Sequence, residues 1–555
     1  MAVKNFSVTP SVSISRSKFK RDSQHKTSIK LGDITPIYLD EVLPGDTRKI
    51  DMAALVRMNT PVAPIMDNIY IDYYAFFCPN RLLWTHWKEF MGENNTSAGI
   101  YTGTEYVMPT SDIADGSTNS GACSSGSLGD HLGLPFVAGS SPCLVSSLPG
   151  RMYFVIYNEW FRDQNLIAPI AISLGDASDD SFGPNQGGYG EVLLKAAKTS
   201  DYFTRSLPYA QKGAPVQLPF SDRAPVRMVA GNGTMDRTNF VNVASSSGAG
   251  GTPTHIKLAV RQTGLIGTNA TIDSGGTVSV ANSSSGGVSA GGDLYADLAT
   301  ATAVTINQLR FAFQYQKMLE KDALYGTRYW EILNAHFGVQ APDSSLQRPE
   351  LLGHFRQNIN IDQVIQTTGI NQSTPASNTL GQTAAVSVTG GKGNLVTKSF
   401  TEHGYIMILA VARHDQTYGQ GVSRDWTRLH RTDYYFPVFA NLGAQSVKNK
   451  EIFAQGTSAD DLEFGYQEAW AEYRYKPSIV SGELRPNVTG LGYWTLANNF
   501  ASLPTLSQSF IEQDRSNLAR AIGSFDQDFI CDFYFKDIAV RPMPLYSVPG
   551  LIDHH

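Results

Sequence analysis

The sequence predicts a mainly β fold, a β-sandwich with long loop insertions and several inserted helices. Three observations predict it. The stretch Asp67–Gly92 opens with strict alternation: Ile69, Ile71, Tyr73, Ala75 and Phe77 point one way, and Tyr70, Asp72, Tyr74, Phe76 and Cys78 the other. Period-two spacing of aromatic and β-branched residues is a strand signal, and two largely apolar faces make it a central strand. Next, only 17% of the 555 residues are charged, 11% are aromatic, and there are 50 Gly and 27 Pro, which suits a β-rich chain with long loops. Finally, the candidate strands lie tens of residues apart, joined by long connections that carry helices. That spacing does not fit a βαβ rhythm and does fit a sandwich with inserted loops.

Taken in order, residues 1–31 read as an extended, unstructured arm of Ser, Lys and Arg. Strands follow at Ile34–Val42 and Arg48–Met58, separated by the turn Pro44-Gly45-Asp46. After the central strand, Pro79 ends the ladder and a short helix carries Leu83, Trp87, Phe90 and Met91 as far as Gly92. Residues 93–150 are a Ser/Gly/Thr/Pro-rich loop region. Arg151–Asn165 reads as a helix on the four-residue steps of Met152, Ile156 and Trp160. Residues 228–303 are nearly uncharged Gly, Ser, Thr, Ala and Val, with short strands at Ile256–Val260 and Val278–Val280. Such a segment lacks the large apolar groups to offset its chain entropy alone, so pairing with copies from neighbouring chains is expected. Helices Ile306–Leu324 and Arg328–Phe337 come next, the first with an apolar stripe expected to pack on the sandwich. Beyond a Gly/Thr/Ser-rich loop at 367–394, strands are expected at Gly404–Val411, Asp433–Phe439, Trp470–Tyr475 and Phe529–Val540.

Charge is unevenly distributed. Residues 1–31 hold Lys4, Arg16, Lys18, Lys20, Arg21, Lys26 and Lys30 against Asp22, a net +6 in a chain of net −6, which leaves −12 for the remainder. Lys and Arg neutralise phosphates without reading sequence, so Arg16, Lys18, Lys20, Arg21 and Lys26 are the candidate DNA contacts, with Phe19 as a stacking group. The bland reading is a solvated tail or an arm docked on a neighbouring subunit. Cys78, Cys123, Cys143 and Cys531 show no metal or redox spacing and read as buried thiols, with a Cys123–Cys143 bridge as the one alternative. No apolar leader and no run of about 18 apolar residues is present, so neither secretion nor a membrane span is expected.

Catalytic signatures are poor. Gly287-Val288-Ser289-Ala290-Gly291 matches a nucleophile elbow but has no strand before it and no helix after it. Gly390-Gly391-Lys392 resembles part of a phosphate loop, with Gly393 where Ser or Thr is needed. The histidines are scattered, with no H-x-H; Asp176, Asp179 and Asp180 read as a solvated turn, and Glu159 and Asp163 as helix surface. No enzyme, cofactor or metal site is expected.

Several blocks carry a resemblance. Tyr157–Leu166 (YNEWFRDQNL), Thr305–Asp322 with Gly326–Tyr329, Arg348-Pro349-Glu350, Asp433–Gln445, Phe464–Pro486 and Met543–His554 resemble the major capsid proteins of gokushoviruses, single-stranded-DNA phages of the Microviridae. The blocks run from about residue 30 to the C-terminus. The resemblance implies an eight-stranded viral jelly roll assembling as sixty copies into a T=1 icosahedral shell around a circular single-stranded DNA genome. It also implies that a variable insertion protrudes at the threefold axis and meets a bacterial surface receptor. A small basic internal protein would be a further partner; pentameric spike or pilot proteins are left open. On this reading residues 1–31 form the basic arm, 32–227 and 304–555 the two parts of the jelly roll, and 228–303 the protrusion. Gly264, Thr268, Asn269, Asn282 and Ser284 are its host-attachment candidates. The protein would be assembled in the host cytoplasm and reside in the virion. The alternative is a carbohydrate-binding or carbohydrate-cleaving β-sandwich protein, from which the basic N-terminus without a leader separates it.

Overall fold

The computed structural model describes residues 15–93, 106–114, 123–139, 141–178, 182, 193–216, 306–367, 381, 383–488, 490–522 and 527–546, and the backbone of six short strands between residues 226 and 296. The chain divides into two compact units, residues 213–319 and the rest.

The larger unit is built on two antiparallel sheets. Its strands are β1 (Ser17–Lys20), β2 (Ser23–Ile29), β3 (Ile34–Val42), β4 (Thr47–Met58), β5 (Ile69–Pro79), β6 (Glu350–Asn358), β7 (Val388–Ser399), β8 (Gly404–His414) and β9 (Phe529–Arg541). The first sheet runs β1-β9-β4-β7, with β2 also paired to β9; the second runs β6-β5-β8-β3. From β2 onward the chain changes sheet at every successive strand except from β5 to β6, which are paired neighbours in the second sheet. Side chains from the facing sides, among them Ile50, Met52, Ile71, Tyr73, Ile408, Phe533 and Phe535, close into one apolar core. The hydrophobic driving force here comes from alternation: every second residue of β4 and β9 is buried.

The second sheet is covered on both sides. Its other face puts Phe76, Cys78, Met407, Leu409 and Val411 against helix α1 (Leu148–Ile156) through Met152, Tyr153 and Ile156. That cover is why β5 is apolar on both faces and buried almost throughout. The first sheet has no such cover among the described residues, so its other face meets solvent.

Several boundaries differ from expectation for physical reasons. Helix α1 begins at Leu148, earlier than the Arg151 read from the sequence, because Pro149 sits in its first turn, where its missing N–H is harmless. It ends in a wide turn at Tyr157–Phe161, with Arg162 N–H bonded to Tyr157 O at 2.9 Å. The segments expected as strands at 433–439 and 470–475 instead form 3-10 turns at Arg431–Asp433, Pro437–Phe439 and Ala471–Tyr473. The Asp433 carboxylate accepts the backbone N–H groups of Leu429 and His430, Pro437 cannot donate to a ladder, and Trp470 adopts a left-handed φ of 66°. The arm is also not wholly unstructured: β1 and β2 add it to the sheet along β9.

Two further helices are α2 (Ile306–Tyr325) and α3 (Tyr329–Phe337), close to the predicted spans. Ile306 and Phe313 are exposed, and the helix buries only its small residues Ala312 and Ala323.

The smaller unit has four strands, Val241–Ala244, Lys257–Val260, Asn269–Ile272 and Val278–Val280, paired consecutively as an antiparallel meander. Val226–Met228 pairs with Leu294–Ala296. The strands expected to need partners from other chains thus pair within this one, because Asn269–Ile272, absent from the sequence reading, lies between them.

Candidate functional site

The solvent face of the first sheet collects the exposed cations. The register sets Lys18 beside Val540, Lys20 beside Ile538 and Lys26 beside Asp532, all on the outward side of β9. Ile538 pairs in turn with Lys49, Lys536 with Asp51, and Ile530 with Arg57; Lys392 of β7 stands opposite Ala53. Among the described residues this face therefore carries Lys18, Lys20, Lys26, Lys49, Arg57, Lys392 and Lys536 against Asp22, Asp51 and Asp532. Tyr534 lies among them, its hydroxyl donating to Asp22 at 3.0 Å, with Leu55 and Ile530 also exposed. The surface is a basic sheet face that carries, among the described residues, the aromatic ring of Tyr534.

Of the five arm candidates, Arg16, Lys18, Lys20 and Lys26 are exposed. Arg21 is engaged: its guanidinium bonds both Asp40 oxygens at 2.5 and 2.8 Å, and that hydrogen bond raises its pKa further. Fully buried Arg48 bridges Asp40 and Asp537, each at 2.5 Å, and donates to Tyr38 Oη. Asp40 and Tyr38 belong to the second sheet and Arg48 and Asp537 to the first, so the cluster ties the sheets together. Burial alone would raise Asp40, but the hydrogen bond from Arg21 and the Arg48 charge outweigh it and hold the carboxyl below its ordinary range. The alternation also turns Phe19 away from Lys18 and Lys20, opposite inward-facing Ala539. The expected stacking role therefore does not fit Phe19; Tyr534 is the ring on the basic side. Sequence reasoning missed Lys49, Arg57, Lys392 and Lys536 because they lie on three strands far apart in sequence, and only odd–even parity within β4, β7 and β9 could have flagged them.

Of the host-attachment candidates, Asn269 opens the strand Asn269–Ile272. Gly264, Thr268, Asn282 and Ser284 lie outside the described residues, as does the Gly287–Gly291 motif. Gly390-Gly391-Lys392 is part of the extended strand β7, so it forms no phosphate loop. All four cysteines are free thiols, Cys143 half-buried and the others buried, so the Cys123–Cys143 bridge is not made. Among the described residues no group of His, Cys, Asp and Glu could hold a metal ion, and no helix is long and apolar enough to cross a membrane.

A family model described as "Capsid protein (F protein)" matches residues 7–551 of this chain. The chain belongs to that capsid protein family. It is 40% identical over 554 residues to "Capsid protein VP1" of Bdellovibrio phage phiMH2K, covering 98% of this chain and 97% of the relative. "Capsid protein VP1" of Chlamydia phage 1 is 39% identical over 602 residues, with 98% and 97% covered. That of Spiroplasma virus 4 is 39% identical over 567 residues, with 99% and 98% covered. The resemblance read from the helix and tail motifs is therefore established across almost the whole length. As a phage capsid protein the chain is structural and not an enzyme.

Proposed function

We propose that sixty copies of this capsid protein form a T=1 shell around a circular single-stranded DNA genome, with the basic face of the first sheet on the inner wall. The observation that carries the reading is the clustering of seven cations and Tyr534 on a sheet face that the described residues leave uncovered. Cations release counterions from phosphate, and an exposed ring gives bases a stacking surface. The division of eight strands, β2 to β9, into two facing four-stranded sheets, β2-β9-β4-β7 and β3-β8-β5-β6, supports reading the sandwich as an eight-stranded jelly roll. In this reading the unit at residues 213–319 carries the contact with a bacterial surface receptor. A small basic internal protein supplements the charge of the sheet, and assembly takes place in the host cytoplasm.

The test replaces Lys18, Lys20 and Lys26 together by Ala. The expected outcome is shells that retain less DNA, with a salt dependence shallower by about 0.7 log unit for each phosphate that is no longer neutralised. Unchanged packaging and an unchanged salt response contradict the inner-wall role.

A further inference from the structure

We propose that an exposed apolar band on residues 426–442, 473 and 479 is a contact surface for a second copy of this chain, an inference that rests on the capsid reading. Trp426 is 83% exposed, Leu429 82%, Val438 88% and Ile479 77%, and Tyr434, Tyr435, Leu442 and Tyr473 are also exposed. At roughly 150–250 Å² per large side chain the band offers on the order of 1,000 Å² of apolar surface. The largest patch on an ordinary monomer is roughly 300–600 Å². A standard protein–protein interface needs about 800 Å² from each partner.

The loop that displays these groups is built rather than loose. Arg428 stacks 4.2 Å over Tyr473 and pairs with Glu472 at 3.3 Å. Tyr435 N–H donates to Tyr473 Oη at 3.3 Å, and its ring meets Trp470 edge-on at 5.6 Å. Trp470 Nε1 donates to Phe439 O at 2.9 Å, and Trp470 itself holds the left-handed backbone that large residues rarely adopt. Asp433 pins the turn by accepting from Leu429 and His430. These bonds hold apolar side chains outward, where they lose free energy until something covers them.

Charge decides among occupants. Arg424 and Arg428 pair with Glu451, Glu472 and Asp425 of this chain, and exposed Arg431 is offset by Asp433 in the same turn, so the band offers little net charge to phosphate or to a basic protein. A partner equally poor in charge fits it, and the chain itself, 17% charged and established as a coat protein, is such a partner. Beside Trp426 and Ile479 an open pocket of about 390 Å³, with Tyr202, Tyr475 and Val480 among its apolar walls and Arg424, Glu451 and Glu472 among its charged ones, can seat one large side chain with a polar tip as an anchor.

The experiment compares the full chain with a W426S/L429S/V438S variant, each produced with the phage's other particle proteins. Shell yield is read by sedimentation and electron microscopy, and folding by thermal melting. The expected result is a variant that is folded and soluble but gives at least tenfold fewer shells. Shells at the unaltered yield overturn the proposal. If the triple variant fails to fold, a benzophenone attached through V438C in assembled particles decides. Cross-linked coat–coat pairs support the surface; cross-links to another protein, or none, overturn it. If the unaltered chain gives no shells, the capsid reading fails and this surface falls with it.

Discussion

His131 is the residue whose ionisation bears most directly on how the arm strand is held. It is buried against β2, with Nδ1 3.0 Å from Thr27 Oγ1. Burial pushes its pKa down from 6.5 to about 4, with Asp130 acting in the opposite direction and His25 in the same one. The folded chain thus keeps His131 neutral while the unfolded chain takes up a proton below pH 6.5. The stability it contributes is fully present above pH 6.5 and is lost as pH falls towards 4, about 3 kcal/mol over that window. Buried His414, also lowered by burial, adds in the same sense. Below about pH 4, Asp40 and Asp72 take over; each is held below its ordinary pKa by arginines, so its contribution is lost as pH falls through the folded value. Asp33 and Asp528, raised by burial, act in the opposite sense. Replacing His131 with Gln is expected to flatten the fall in melting temperature between pH 6.5 and 4 without abolishing it. A variant with the same slope as the parent would show that His131 does not control that window.

At the scale of elements, the parts legible in the sequence were those whose pattern is local. The central strand β5, the strands β3, β4, β8 and β9, and helices α2 and α3 all show the right period over many residues. β7 was hidden because its VTGGKGN start reads as a loop. The structure explains the glycines: a Cβ on Gly393 would come within 2.7 Å of the Phe355 ring, and one on Gly391 within 2.6 Å of Gln357. Facing Gly353 of β6 would place its Cβ 2.2 Å from Leu395 O. Glycine is used there for close approach of the two sheets, information that only the partner strand holds. The basic platform was half legible: the arm announced itself by composition, whereas Lys49, Arg57, Lys392 and Lys536 depended on cross-strand register. The meander of residues 241–280 pairs within its own chain, so removing it is expected to leave the sandwich folded. Deletion of residues 248–292 should give normal shells that no longer adsorb to host cells. Normal adsorption by such particles would remove the receptor role from this unit.

For the whole molecule, two features work together. Among the described residues the sandwich is covered on one side by α1 and bare on the other, and the bare face is basic in a chain whose net charge is −6. In a closed shell the basic face inside would lie against phosphate, while the acidic remainder outside keeps particles apart. The apolar band at 426–442 supplies contact area that a free monomer does not use. The measurement that tests this account most directly is a cryo-EM reconstruction of the assembled particle. The account predicts a closed shell of sixty copies, with Lys18, Lys20, Lys26, Lys49 and Lys536 on the inner wall beside nucleic-acid density. A shell with that sheet face turned outward, and no density against it inside, would contradict the account.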